Sequence, residues 1–162
     1  GTIAPCADKE TPANFLTGWI QASGTSQDNW EPAEGRALQD LLALLSKDGV
    51  KAEHIAVITP FKAAQAHLKR MLPDKMVSGT IHTMQGKEAP IVILVLGGNT
   101  AGPGARNWAV SEPNLLNVAA TRAKRRFYVI GDRNDWKNRA LFCEVMDLLP
   151  LQIISAREQA LI

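Results

Sequence analysis

Three apolar runs constrain this chain most. Ile55 to Ile58, Ile91 to Leu96 and Phe127 to Ile130 hold apolar residues without the alternation of a half-buried strand. Runs of this kind belong to strands covered on both faces. Between them lie stretches with helical spacing. Leu38, Leu41, Leu42 and Leu45 recur at i, i+3, i+4 and i+7 within Pro32 to Ser46, which is one face of a helix. Pro32 suits its first turn, and Asp48-Gly49 suits its stop. Ala64, Leu68, Met71 and Leu72 share one side of a second helix that Pro73 closes. Buried strands alternating with helices through short loops predict an α/β fold around a mostly parallel sheet.

The remaining stretches fill in that plan. Trp19 to Ala22 reads as a short strand closed by Ser23-Gly24, and Met76 to Ile81 as another. Thr100 to Ser111 is a loop rich in Gly, Ala and Asn, and Ser111 can cap a helix running to about Ala123. A last helical region, about Trp136 to Leu149, precedes Pro150. Residues 1–16 read as a lead-in or linker, 17–150 as one domain and 151–162 as a tail. A chain of 162 residues fits a single domain large enough to bury a core.

Composition excludes several classes. With 46% hydrophobic and 21% charged residues, the chain is ordinary globular protein rather than disordered. No apolar run approaches the roughly 20 residues that span a bilayer, and the first residues lack a signal-peptide pattern. Cys6 and Cys143 form neither a metal spacing nor a disulfide framework, and no metal site is expected. A cytoplasmic protein with no membrane contact is the expectation. The net charge of +2 is too small to imply a nucleic-acid partner. The distribution says more. Arg122, Lys124, Arg125, Arg126, Arg133, Lys137 and Arg139 cluster against only Asp132 and Asp135. That cluster is read either as a solvated face or as an anion site.

Two constellations carry chemistry. The first, TIHTMQGKEAPIVIL from Thr80 to Leu94, sets His82, Gln85, Gly86, Lys87 and Glu88 between two strands. Glycine admits a ligand close to the backbone, and an amide and carboxylate beside it can bond a ribose or a phosphate-bound water. A plain surface turn with a hydrogen-bonded structural histidine is the other reading. The second is NLLNVAATRAKRRFYVIGD, from Asn114 to Asp132. Leu115, Val118 and Ala119 form an apolar stripe, and helical spacing carries Arg122 onto almost the same line. A guanidinium there needs a partner, either an internal carboxylate or an anion arriving from outside. Its planar fork suits phosphate.

In this order, the two blocks resemble motifs V and VI of superfamily 1 helicases, above all the subgroup of the nonsense-mediated-decay RNA helicase and its bacterial relatives. HIAVITPF resembles that subgroup's motif IV. The likeness runs from about Trp19 to Leu149. It implies the second, C-terminal RecA-like motor domain, with three layers and a P-loop NTPase fold. By that resemblance Arg122 matches the arginine finger that reaches the γ-phosphate. Gly86 and Glu88 match positions that approach the nucleotide. Gln85 matches the position linking the nucleotide site to the strand surface. Thr59, Pro60, Thr80 and His82 match positions beside the nucleic-acid backbone. The subgroup carries a second arginine where this chain has Gln65, and Lys62 could supply that charge instead.

The implied cofactors are ATP and Mg²⁺, and the implied partners are single-stranded DNA or RNA and a first RecA-like domain in cis. No G-x-x-x-x-G-K followed by Ser or Thr occurs in the chain. In the family that loop belongs to the first domain, which would also hold the Mg²⁺, so the isolated chain is expected to be inactive as an ATPase. The alternative is a non-catalytic module that grips nucleic acid or protein with a degenerate helicase fold. No glycine fingerprint, nucleophile elbow or metal cluster supports an unrelated α/β enzyme.

Overall fold

The computed structural model describes residues 18–22, 30–81, 83–84, 87–97, 119, 122–132 and 151–152. Its elements are β1 (Gly18–Gln21), α1 (Pro32–Lys47), a short 3₁₀ turn (Ala52–His54), β2 (Ile55–Thr59), α2 (Lys62–Met71), β3 (Val77–Thr80), β4 (Ala89–Val95), β5 (Ala123–Gly131) and β6 (Leu151–Gln152). The strands form one six-stranded sheet in the order β3-β2-β4-β5-β1-β6. Every pairing is parallel. The α/β RecA-like expectation is thereby met. Among the described residues no helix is long and apolar enough to cross a membrane.

The apolar runs explain the layering. In β2, Ala56 and Ile58 face one core cluster while Ile55 and Val57 face the other. β4 and β5 divide the same way, with Val92, Leu94, Phe127 and Val129 on one side and Ile91, Ile93, Tyr128 and Ile130 on the other. Both faces therefore demand cover. The second cluster is closed by Leu38, Leu41, Leu44 and Leu45 of α1 and by Leu68 of α2. Leu42, placed on the α1 stripe by its spacing, is only partly buried, and Leu44 takes its place. The first cluster is closed by Phe61, Ile81, Met84 and Ala119.

Local signals set the helix ends. Pro32 occupies the first turn of α1, and the Glu31 carboxylate accepts the Ala33 N–H at 2.9 Å. Asp48 caps the other end, and Gly49 takes φ 88°, a conformation that glycine adopts without Cβ strain.

Two expectations are corrected. The sequence assigns residues up to about Ala123 to a helix and starts the strand at Phe127, yet β5 begins at Ala123. The first residues of β5 are largely charged, so the apolar run reveals only the strand's second half. β6 pairs with β1 inside the stretch read as tail, because two residues are too few to display a period. The predicted loop at 100–111 and last helix at 136–149 lie outside the described residues.

Candidate functional site

Because all strands run parallel, their first residues share one rim of the sheet and their last residues the other. Thr59 ends β2 and Thr80 ends β3, and the two are register partners on the C-terminal rim. The Thr59 side chain is fully buried, and its hydroxyl oxygen has no hydrogen-bond partner. Pro60 beside it is buried too. After Thr80 the chain turns tightly. The Met84 N–H donates to the Thr80 carbonyl at 3.0 Å, and so does the Thr83 hydroxyl, also at 3.0 Å. Gly79 permits that turn: a Cβ there would stand 2.5 Å from the Thr83 hydroxyl and 3.1 Å from Met84 Cγ.

From Thr80 the chain crosses to the opposite rim before β4 begins at Ala89. Ile81 and Met84 anchor the crossing in the first core cluster. His82, Gln85 and Gly86 lie outside the described residues. Lys87 and Glu88 are exposed at the far end of the crossing, where the Glu88 carboxylate pairs with Lys124 Nζ at 3.4 Å. Next to them the Ala89 N–H donates to the Arg122 carbonyl at 2.9 Å. Arg122 is half-buried, and its Nε is buried without a hydrogen-bond partner. Its own N–H donates to the Ala119 carbonyl at 3.3 Å. This places Arg122 in a turn after the helical Ala119.

Register fixes the separation of the two rims. Ala123 stands beside Ala89 and Ile58 beside Leu94. Thr59 thus lies six residue levels above the start of β4 and β5, about 20 Å along the strands. The sheet brings Thr59, Pro60 and Thr80 together on one rim, and Glu88 and Arg122 on the other. Lys62, exposed at the start of α2, stands with the first group. Gln65 faces β3, where its side-chain amide donates to the Ser78 hydroxyl at 3.3 Å.

Three further features escape sequence reasoning. Lys124 is a partner of Glu88 that no local signal marks. Glu34 is buried in the first turn of α1 and accepts the Gly97 N–H at 2.8 Å, tying α1 to the end of β4. Arg126 is buried within β5 and donates to the Tyr128 hydroxyl at 3.4 Å. Burial raises the Tyr128 pKa above its ordinary value of 10.0, and Arg126 offsets part of that rise. Only the spacing of Arg126 and Tyr128, two residues apart on one strand face, could have hinted at their contact.

The AAA domain family matches residues 14–134, and the chain belongs to it. The DNA polymerase alpha-associated DNA helicase A of Schizosaccharomyces pombe is 38% identical over 57% of this chain and 14% of its own length. The regulator of nonsense transcripts 1 homolog of Arabidopsis thaliana is 30% identical over 70% of this chain and 10% of its own. The chain thus spans a small part of these curated relatives. A solved C-terminal domain of a possible DNA helicase from Lactobacillus plantarum WCFS1 shares the fold at a TM-score of 0.50 and 16% identity, over 73% of this chain and 74% of that one. The resemblance to a superfamily 1 helicase C-terminal domain holds, and the chain is a helicase-family domain.

Proposed function

We propose that this domain is the C-terminal half of an ATP-dependent nucleic-acid motor, with Arg122 as its arginine finger. The observation that carries the reading is the orphaned Arg122 Nε on the N-terminal rim. A buried donor with no acceptor costs about 1–3 kcal/mol. A phosphate oxygen would satisfy it, and the planar guanidinium can bond two such oxygens at once. Lys87 and Lys124 are exposed on the same rim, and Lys124 pairs there with Glu88. By the resemblance Gly86 and Glu88 are assigned to approach the nucleotide, and Gln85 to link the nucleotide site to the strand surface.

In this reading ATP sits between the rim and a first RecA-like domain in cis, and that domain holds the Mg²⁺. Closure of the two domains would bring Arg122 to the γ-phosphate, and cleavage of the phosphoanhydride would release it. Arg122 stabilises the charge that develops on the transferred phosphoryl group. By the resemblance Thr59, Pro60, Thr80 and His82 are assigned to the side of a single strand, and the first three stand on the opposite rim. The matched relatives include a DNA helicase and a regulator of nonsense transcripts, which supports a strand of DNA or RNA.

The test is Arg122→Ala in the protein that carries both motor domains. Nucleic-acid-stimulated ATP hydrolysis is expected to fall by about 10³–10⁵-fold with unchanged melting. Arg122→Lys should not restore it, since a lysine lacks the two-pronged geometry. Turnover close to wild type in Arg122→Ala overturns the assignment.

A further inference from the structure

We propose that the outer edge of β3 docks a short extended segment of a partner protein, in which carboxylates alternate with apolar side chains. The inference goes beyond the motor reading and rests on neither Arg122 nor the nucleotide.

β3 pairs with β2 on one side and ends the six-stranded sheet. Alternate residues of a strand turn their N–H and C=O groups to opposite sides. Among the described residues, then, half of the β3 backbone groups look away from β2 with no strand beside them. Exposed edges are commonly blunted by charged residues, prolines or bulges. β3 consists of Val77, Ser78, Gly79 and Thr80, with no charge and no proline, and its register with β2 runs without a shift.

The two faces of this edge differ. Ser78 stands beside Val57, in the cluster closed by α1 and α2, and accepts a hydrogen bond from α2. Val77 stands beside Ala56, in the other cluster, so its side chain takes the opposite face. At 43% exposure it is the one exposed large hydrophobic among the described residues. On the α2 side a groove of about 270 Å³ opens, lined by Lys69, Leu72, Met76 and Ser78, among others. That volume lies below the roughly 300–1,000 Å³ of typical small-molecule sites, so it suits a side chain or two of a peptide rather than a separate ligand.

An added strand answers both faces at once. Its side chains alternate, so one set enters the groove and the other lies across Val77. Charge selects the first set. α2 carries no acidic residue. Exposed Lys69 lines the groove and exposed Lys75 leads into β3, against a single carboxylate on the groove wall, Asp74. The positive excess favours carboxylates on the groove side, and Val77 favours apolar residues on the other. A peptide is preferred to a nucleic-acid strand because the edge presents N–H donors and C=O acceptors alike. A second peptide backbone satisfies both. A sugar–phosphate backbone presents chiefly phosphate acceptors, which would leave the edge carbonyls unanswered and crowd Asp74.

The experiment titrates a fluorescein-labelled peptide of alternating glutamate and valine with the 162-residue chain and follows anisotropy. Saturable binding is expected at a Kd below about 1 mM. Val77→Lys should weaken it about tenfold, since edge lysines oppose strand addition. Lys69→Glu should weaken it about fivefold by like-charge repulsion. Both side chains are exposed, so melting should not move. The same peptide N-methylated at alternate amides should fail to bind, because it cannot donate to the edge. Lys47→Glu, at an exposed lysine of α1, should bind as wild type does. Four results overturn the docking edge: no saturable binding, equal binding of the N-methylated peptide, an affinity unmoved by Val77→Lys and Lys69→Glu, or an equal loss in Lys47→Glu. A single-stranded oligonucleotide that displaces the peptide and itself loses affinity in Val77→Lys overturns it too, and gives the edge to nucleic acid. ATP turnover in the two-domain protein reads Arg122 and none of these measurements.

Discussion

The two rims of this sheet solve opposite problems. On the C-terminal rim, the Thr59 and Thr80 side chains are buried, and a tight turn follows Thr80. On the N-terminal rim, Glu88 and Lys124 are exposed and Arg122 is half-buried. The first rim is shaped by backbone and core packing, and the second by charge. A rim of buried hydroxyls carries little field of its own. A cationic rim acts over a longer range and rewards a ligand whose charge changes during a reaction. The segment that crosses between them is anchored by Ile81 and Met84 in the core.

The largest effect expected from breaking this division is at Arg122. Arg122→Ala should remove about 4–7 kcal/mol of transition-state stabilisation in the two-domain protein, the equivalent of its 10³–10⁵-fold rate loss. Strand affinity of the isolated chain should stay within about twofold, roughly 0.4 kcal/mol. A parallel loss of both, measured by ATPase and by fluorescence anisotropy, would join the rims into one site.

Gly79→Ala attacks the crossing from the other end. Its new Cβ must push aside the Thr83 hydroxyl and Met84, and crowding of this kind costs about 1–3 kcal/mol. Chemical denaturation should record that loss, and ATP turnover should fall beyond what lost stability explains. A variant destabilised but with turnover intact would show that the crossing does not couple the rims.

Thr59→Val is smaller and of opposite sign. It replaces a buried, unpartnered hydroxyl with a methyl of similar size. Stability should rise by about 1 kcal/mol, while strand binding weakens. Weaker binding with greater stability is the signature of a group kept for its ligand. If binding is unchanged, the Thr59 hydroxyl does not serve the strand.

The smallest effect appears only in alkali. Tyr128 lies within β5, between the rims, and its pKa is raised, mainly by burial. A group with a raised folded pKa contributes stability that is intact below its unfolded value and is lost as pH climbs through the folded one. Melting should therefore be insensitive to Tyr128 below about pH 10 and fall above it, and Tyr128→Phe should flatten that fall. A Tyr128→Phe profile identical to wild type above pH 10 would assign the alkaline loss to other groups.

Much of the fold was legible in the chain. Ile55 to Ile58 and Ile91 to Leu96 announce two-sided strands because nothing polar interrupts them. Pro32 and Asp48-Gly49 mark the ends of α1 because their backbone preferences are intrinsic. The site was legible only as a set of residue types. Arg122 is an unusual residue beside an apolar segment, and its sequence neighbours single it out. The start of β5 was hidden, since Lys124 and Arg125 are exposed there, and hydropathy sees no strand where charges face solvent. Nothing local could have paired Glu88 with Lys124 or buried Glu34 against Gly97, since those pairs join residues far apart in the chain.

The sequence by itself determined which segments become strands and helices, because caps, turns and apolar periods act over a few residues. It also determined the charges that one rim would carry. Only the tertiary structure decided that Thr59 and Thr80 share a rim, that Glu88 and Arg122 share the other, and that about 20 Å lies between. Those distances come from parallel register, and register is set by the packing of whole faces against their covering helices. A one-residue slip would turn each strand inside out, and no short stretch of sequence records which partner prevents it.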